Sequence, residues 1–136
     1  MFLAELAQGG RQGRAVQGIL NTLEAFGLKA IVLPDLSGSL DGHIPPDWRG
    51  TTLGGTSLDE IRAAGASSWT IGVGEQTREG AEALQAISGA PFEIFERLTG
   101  IEANDHFLMR LSQHSGRPVP AKYRRQRSQL LDAMLD

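Results

Sequence analysis

The chain has 136 residues, 40% of them hydrophobic and 21% charged, enough for one packed domain and short for two. Its formal net charge of -3 argues against a protein that coats nucleic acid over its whole surface. It contains no cysteine, which excludes a disulfide framework, a thiolate nucleophile, and any zinc or iron–sulfur centre held by thiolates of this chain.

The first residues, Met1-Phe2-Leu3-Ala4-Glu5-Leu6-Ala7, are apolar but have no basic stretch before them and carry Glu5 among them. They make a poor signal peptide. No apolar run approaches the ~20 residues of a membrane span, so the expected setting is cytoplasmic with no membrane contact. Val16, Ile19, Leu20, Leu23 and Phe26 then recur at helical spacing. Gly27 stands where a left-handed helix end is wanted, with Leu28 behind it. The run from Lys29 to Leu33 reads as a buried parallel strand.

From Leu36 to Thr56 the residues are those of turns and loops. A connection of this length in a small domain is a functional loop, an interface loop, or one containing a hairpin. Ser57 with Glu60 forms a capping box for a short helix that carries Leu58 and Ile61 and stops near Gly65. Trp69–Val73 is the second strand. Thr77 is placed to cap a third helix, with Glu79 and Glu82 early in it, an inner face of Ala81, Leu84 and Ile87, and Gly89 at its end. Pro91–Phe95 is the third strand, with Pro91 in its tolerated first position.

A further helix is expected from about Asn104 to Gly116 with Phe107, Leu108 and Leu111 inward. Pro118 and Pro120 lead into a last helix bearing Tyr123, Leu130, Leu131, Met134 and Leu135. Those four aliphatic side chains in six residues wrap more of a helix than one face covers, so they are expected to meet protein beyond this chain or a second copy. The pattern is still running at Asp136, which reads as a domain boundary or a cut. Strands alternating with helices predict a three-layer, Rossmann-like α/β fold with a small parallel sheet, containing residues near 30–34, 69–73 and 92–95.

Candidate sites are few. Gly54, Gly55, Thr56 and Ser57 precede a helix, where free N–H groups could bind an anion, or where they form only a tight turn and a cap. They match neither the P-loop nor the dinucleotide fingerprint. Gly72-Val73-Gly74-Glu75 ends the second strand, where a ligand or partner could approach the backbone closely, or, as the favoured reading, where Gly72 lets a helix pack closely on the sheet. His43, beside Asp41 in the long loop, is a polar or interface residue. His106 and His114 lie eight apart on one helix, too far for a pair sharing one metal ion. There is no GxSxG elbow and no carboxylate pair placed for acid–base work. No catalytic, cofactor-binding or metal-ligating residue is assigned. Arg117, Lys122, Arg124, Arg125 and Arg127 are five of the thirteen basic residues, on a helix amphipathic enough to be partner-facing rather than bound to nucleic acid.

Four segments carry a family resemblance. Gly54-Gly55-Thr56-Ser57-Leu58-Asp59-Glu60-Ile61 resembles the GGT-x-x-[DE]-E-I segment of nitrogenase component 1 proteins. Asp105 to Ser112 resembles their D-x-FLM-K-x-S helix, Ser115 to Ala121 their SG-x-P-[IV]-PA turn, and Arg127 to Asp136 their R-x-x-L-x-D-x-M-x-D helix. The match runs from about residue 20 to the end, and the first fifteen residues match poorly. It implies a segment at 1–15, a Rossmann-like domain at 16–117, and a helix at 118–136 leading to a further domain. Leu33–His43 and Phe95–Gly100 look like the β-like subunit of the scaffold on which the iron–molybdenum cofactor is matured. The β subunit of the molybdenum–iron protein, an oxidoreductase, is the alternative within the family. An independent small-ligand-binding α/β module is the alternative outside it.

The resemblance further implies an α-like scaffold subunit of the NifE type as partner in an α2β2 assembly. It implies iron–sulfur and iron–molybdenum precursor clusters in the parent complex. No cluster ligand can be carried over to this chain, and no self-contained active site is expected in it.

Overall fold

The computed structural model describes residues 2–4, 12–33 and 56–135. The strands are β1 (Phe2–Ala4), β2 (Val32–Leu33), β3 (Thr70–Val73) and β4 (Phe92–Phe95), and the helices α1 (Gln12–Ala25), α2 (Leu58–Ala64), α3 (Arg78–Ser88), α4 (Ile101–Ser115) and α5 (Ala121–Leu135). The strands form one sheet in the order β2-β1-β3-β4, and every pair is parallel. Phe2 stands beside Val32 on one side and Ile71 on the other, and Thr70 stands beside Phe92. Strand order reverses between β1 and β3, as in doubly wound sheets. Helices α1 and α4 share one face of the sheet, and the right-handed crossover from β3 to β4 places α3 on the other.

The three expected strands are parallel neighbours in one sheet, and β1 adds a fourth between β2 and β3 that the sequence reading missed. Phe2-Leu3-Ala4 is three residues long and has no β-branched side chain, so it falls below the length and composition by which strands are read. Its place comes from pairing on both edges, which is tertiary.

The core lies mainly between the sheet and the α1–α4 face. Val16 and Leu23 of α1, with Phe26 in the turn after it, meet Val32, Trp69, Ile71 and Phe95 of the sheet region and Phe107, Leu108 and Leu111 of α4. Phe95 and Phe107 pack edge to face, with ring centroids 5.2 Å apart. Phe26 and Leu111 are fully buried, each contributing about 1.5–3 kcal/mol relative to exposure. Helix α1 ends as its sequence predicts. Gly27 adopts φ 72°, and the Leu28 N–H donates to the Leu23 carbonyl at 2.9 Å. The Arg117 guanidinium fills the space that a side chain at residue 27 would need, so this turn is closed from the α4–α5 connection.

On the opposite face, Ala81 of α3 is fully buried. Gly72 has no room for a Cβ beside Thr77 and Ile94, so α3 and its preceding 3-10 turn (Glu75–Thr77) lie close on the sheet, as expected of this glycine.

Several local expectations are corrected. Ile87 is 83% exposed. At 3.6 residues per turn it lies roughly 120° around α3 from Ala81, and the inner face runs through Ala81 and the half-buried Leu84 only. Leu58 and Ile61 of α2 are exposed, and Ala64 is that helix's buried residue. The Thr77 hydroxyl donates to the Gly74 carbonyl at 2.7 Å and makes no capping bond to α3. Helix α4 begins at Ile101, because the Gly100 carbonyl already accepts from the Asn104 N–H at 3.0 Å. The hydroxyl of Thr70 is buried with no hydrogen-bond partner among the described residues.

Candidate functional site

Helix α5 lies across the α1–α4 face and is held to both. The Tyr123 hydroxyl donates to Thr22 Oγ1 of α1 at 3.2 Å. Arg127 Nε reaches both carboxylate oxygens of Asp105 on α4, at 2.8 and 2.7 Å. Both residues of that pair are partly exposed, so its main effect is to fix the register of α5 on α4. Between the three helices runs a groove of about 850 Å³, walled by Ile19, Leu98, Phe107, Tyr123, Leu130 and Met134 among others. Tyr123, Arg127, Leu130 and Met134 recur at helical spacing, so one side of α5 forms the wall. Leu130, Met134 and Leu135 are 50%, 68% and 86% exposed, and Leu131 is half-buried.

The glycine-rich candidate is placed in part. Gly54, Gly55 and His43 lie outside the described residues. The Thr56 hydroxyl donates to the Val32 carbonyl, joining this segment to the end of β2. Ser57 is committed to α2. Its Oγ accepts from the Glu60 N–H at 3.2 Å and donates to Glu60 Oε2 at 2.8 Å, and the same oxygen accepts the Ser57 N–H at 2.9 Å. The capping box is complete.

Two charged arrangements were not read from the sequence. Arg110 of α4 donates from Nε to both oxygens of Glu93 on β4, at 3.0 and 2.8 Å, and from an η nitrogen to Gln113 at 2.6 Å. His106 Nε2 stands 3.8 Å from Glu93 Oε1. Nothing in the spacing of Glu93, His106 and Arg110 announces this, because the pairing is between a strand and the helix folded back upon it. His114, in the last turn of α4, stacks on Trp69 with ring centroids 4.5 Å apart and lies 3.3 Å from Ser68 Oγ. Burial against that ring, and then nearby positive charge that includes Arg110, hold its imidazole below the usual range. The desolvation outweighs the helix dipole, which favours a cation at this end.

Iron–sulfur clusters are held by cysteine thiolates, and the chain has none. Among the described residues no three His, Asp or Glu side chains group as metal ligands. The donor set therefore does not fit a cluster, and no chemistry is derived through one. Among the described residues no helix is long and apolar enough to cross a membrane.

Known proteins resemble this chain closely. The family model for nitrogenase component 1 type oxidoreductase matches residues 9–136. The nitrogenase iron-molybdenum cofactor biosynthesis protein NifN of Bradyrhizobium diazoefficiens is 58% identical over 114 residues, 84% of this chain and 24% of its own length. The protein of the same name from Rhizobium meliloti is 50% identical over 122 residues, 89% of this chain and 28% of its own length. The chain thus spans about a quarter of the length of these relatives. The solved structure described as nitrogenase Cp1 at pH 6.5 superposes with a TM-score of 0.84 at 30% identity, over 99% of this chain and 29% of that one. Doubly wound parallel topology, the capping box within the GGT segment, and a family match over most of its length agree: the chain belongs to the nitrogenase component 1 family.

Proposed function

We propose that this chain is a domain of a scaffold subunit for maturation of the nitrogenase iron–molybdenum cofactor, and that it acts by packing rather than by ligating metal. The observation that carries the reading is 58% identity to a protein named for iron–molybdenum cofactor biosynthesis, in a sequence without a single cysteine. Likeness to the solved nitrogenase structure is lower, at 30%, which favours the scaffold over a subunit of nitrogenase itself. The cluster ligands of such a scaffold then belong to other parts of the assembly. In this reading the domain is cytoplasmic and works in an α2β2 assembly with an α-like subunit. The partner-facing element is α5, through Leu130, Leu131, Met134 and Leu135.

A segment exchange tests this. In Bradyrhizobium diazoefficiens NifN, the stretch matching this chain is replaced by it, and growth on dinitrogen is measured in a strain lacking its own NifN. The exchange is expected to restore growth. A hybrid that accumulates to normal levels and supports none would reject the reading.

A further inference from the structure

Helix α5 is attached at one end and nearly free at the other. Val119 and Tyr123 pack against the core, and the Tyr123 hydroxyl bonds to Thr22 of α1. One turn further on, Arg127 is paired with Asp105 of α4. Beyond Arg127 no hydrogen bond or ion pair joins α5 to another described element, and no residue of the helix is buried. Leu130 and Met134 are exposed and line one wall of the groove, and Ile19, Leu98 and Phe107 line the others. Apolar side chains thus face one another across open space, an arrangement that favours closure. What opposes closure is the Arg127–Asp105 pair, which ties α5 to α4. Both partners are partly exposed, so the tie is weak and sensitive to salt. Leverage is large. Met134 lies eleven residues beyond Tyr123, about 16 Å along the helix, so a rotation of about 20° at Tyr123 carries it about 6 Å, roughly the width of a side chain. Such a bend falls at the start of the helix, an element end, where hinge residues sit.

We infer that α5 is a hinged strap: it pivots at Tyr123, the Arg127–Asp105 pair latches it open, and release of that latch lets its free end close on α1, burying Leu130 and Met134 against Ile19 and Leu98. The structure shows the latched position. Closed, the strap covers apolar side chains assigned above to a partner, so a partner must compete with α1 for them. That consequence rests on the packing role proposed above; the motion is a property of this chain alone.

The chain has no cysteine, so two introduced ones take spin labels without interference. Gln17 on α1 and Ala133 near the free end of α5 are both exposed. The distance between labels at Gln17→Cys and Ala133→Cys is read by double electron–electron resonance. Adding Arg127→Ala is expected to shorten the main distance by roughly 4–6 Å. Asp105→Asn breaks the latch from the α4 side and is expected to do the same, as is high salt on the labelled parent. Leu130→Ser/Met134→Ser, added to Arg127→Ala, is expected to abolish the shortening. Circular dichroism checks that each variant is folded. A distance that stays the same or lengthens in the latch variants, or a shortening that survives the serine substitutions, overturns the inference. Failure of the segment exchange leaves the shortening unaffected, so the two tests are read separately.

Discussion

Gly72 is where the close approach of α3 to the sheet can be measured. A Cβ built on it comes within 3.0 Å of both Thr77 Oγ1 and Ile94 Cδ1. The two neighbours differ in how they can yield. Ile94 Cδ1 is the end of a flexible side chain and can rotate away. Thr77 Oγ1 is held by its bond to the Gly74 carbonyl at 2.7 Å, so moving it sacrifices that bond, worth about 0.5–1.5 kcal/mol net. Overpacking of this kind costs about 1–3 kcal/mol. Reduced freedom of the unfolded chain returns about 0.4–1 kcal/mol for Gly→Ala. Gly72→Ala is therefore expected to lower stability by about 1–3 kcal/mol. The assay is urea unfolding followed by circular dichroism, comparing midpoints at unchanged slope. Adding Ile94→Val removes the Cδ1 contact, and the double variant is expected to lose less than the two single losses summed. A Gly72→Ala protein as stable as the parent would show that α3 can move off the sheet and would refute the close-packing argument.

Three further outcomes follow from the same contacts. Thr70→Val replaces a buried hydroxyl that has no partner among the described residues with a methyl group of the same shape, and is expected to raise stability by about 1 kcal/mol in the same urea assay. Ser57→Ala removes the capping box of α2 and is expected to cost about 1 kcal/mol, with faster amide exchange over residues 58–64 as its local signature. His114 has a folded pKa below its ordinary 6.5, so the unfolded chain binds the proton more readily. Its contribution is full above the unfolded value and is lost as pH falls from there toward the folded pKa. His114→Gln is expected to flatten the stability profile as pH falls below the ordinary value of 6.5. An unchanged profile would show that the Trp69 stack does not resist the proton.

Periodicity was a good guide where one element buries one face against the core. Val16, Leu23 and Phe26, and Phe107, Leu108 and Leu111, lie where helical spacing puts them, and the turn at Gly27 follows from the need for positive φ. Reasoning from spacing failed where a neighbour decides. Ile87 is apolar and near the right period, yet the sheet is small and α3 meets it only through Ala81 and Leu84. Phe2–Ala4 has almost no strand character of its own and is a strand because β2 and β3 flank it. Around the candidate site, the exposed apolar side chains at the end of α5 were legible, since four in six residues exceed one helical face. The groove was not. It is assembled from α1, α4 with the turn before it, and α5, and Tyr123 meets Thr22 across 101 positions of sequence, a pairing that no local pattern encodes. The Glu93–Arg110 pair was hidden for the same reason.

The claim that this domain contributes packing and no metal ligand is tested most directly by iron and acid-labile sulfide analysis of the purified chain after anaerobic reconstitution. A protein without cysteine is expected to retain iron and sulfide only at the background of an unrelated cysteine-free protein. Stable, stoichiometric iron and sulfide on this chain would contradict the claim and require ligands among its carboxylates and histidines.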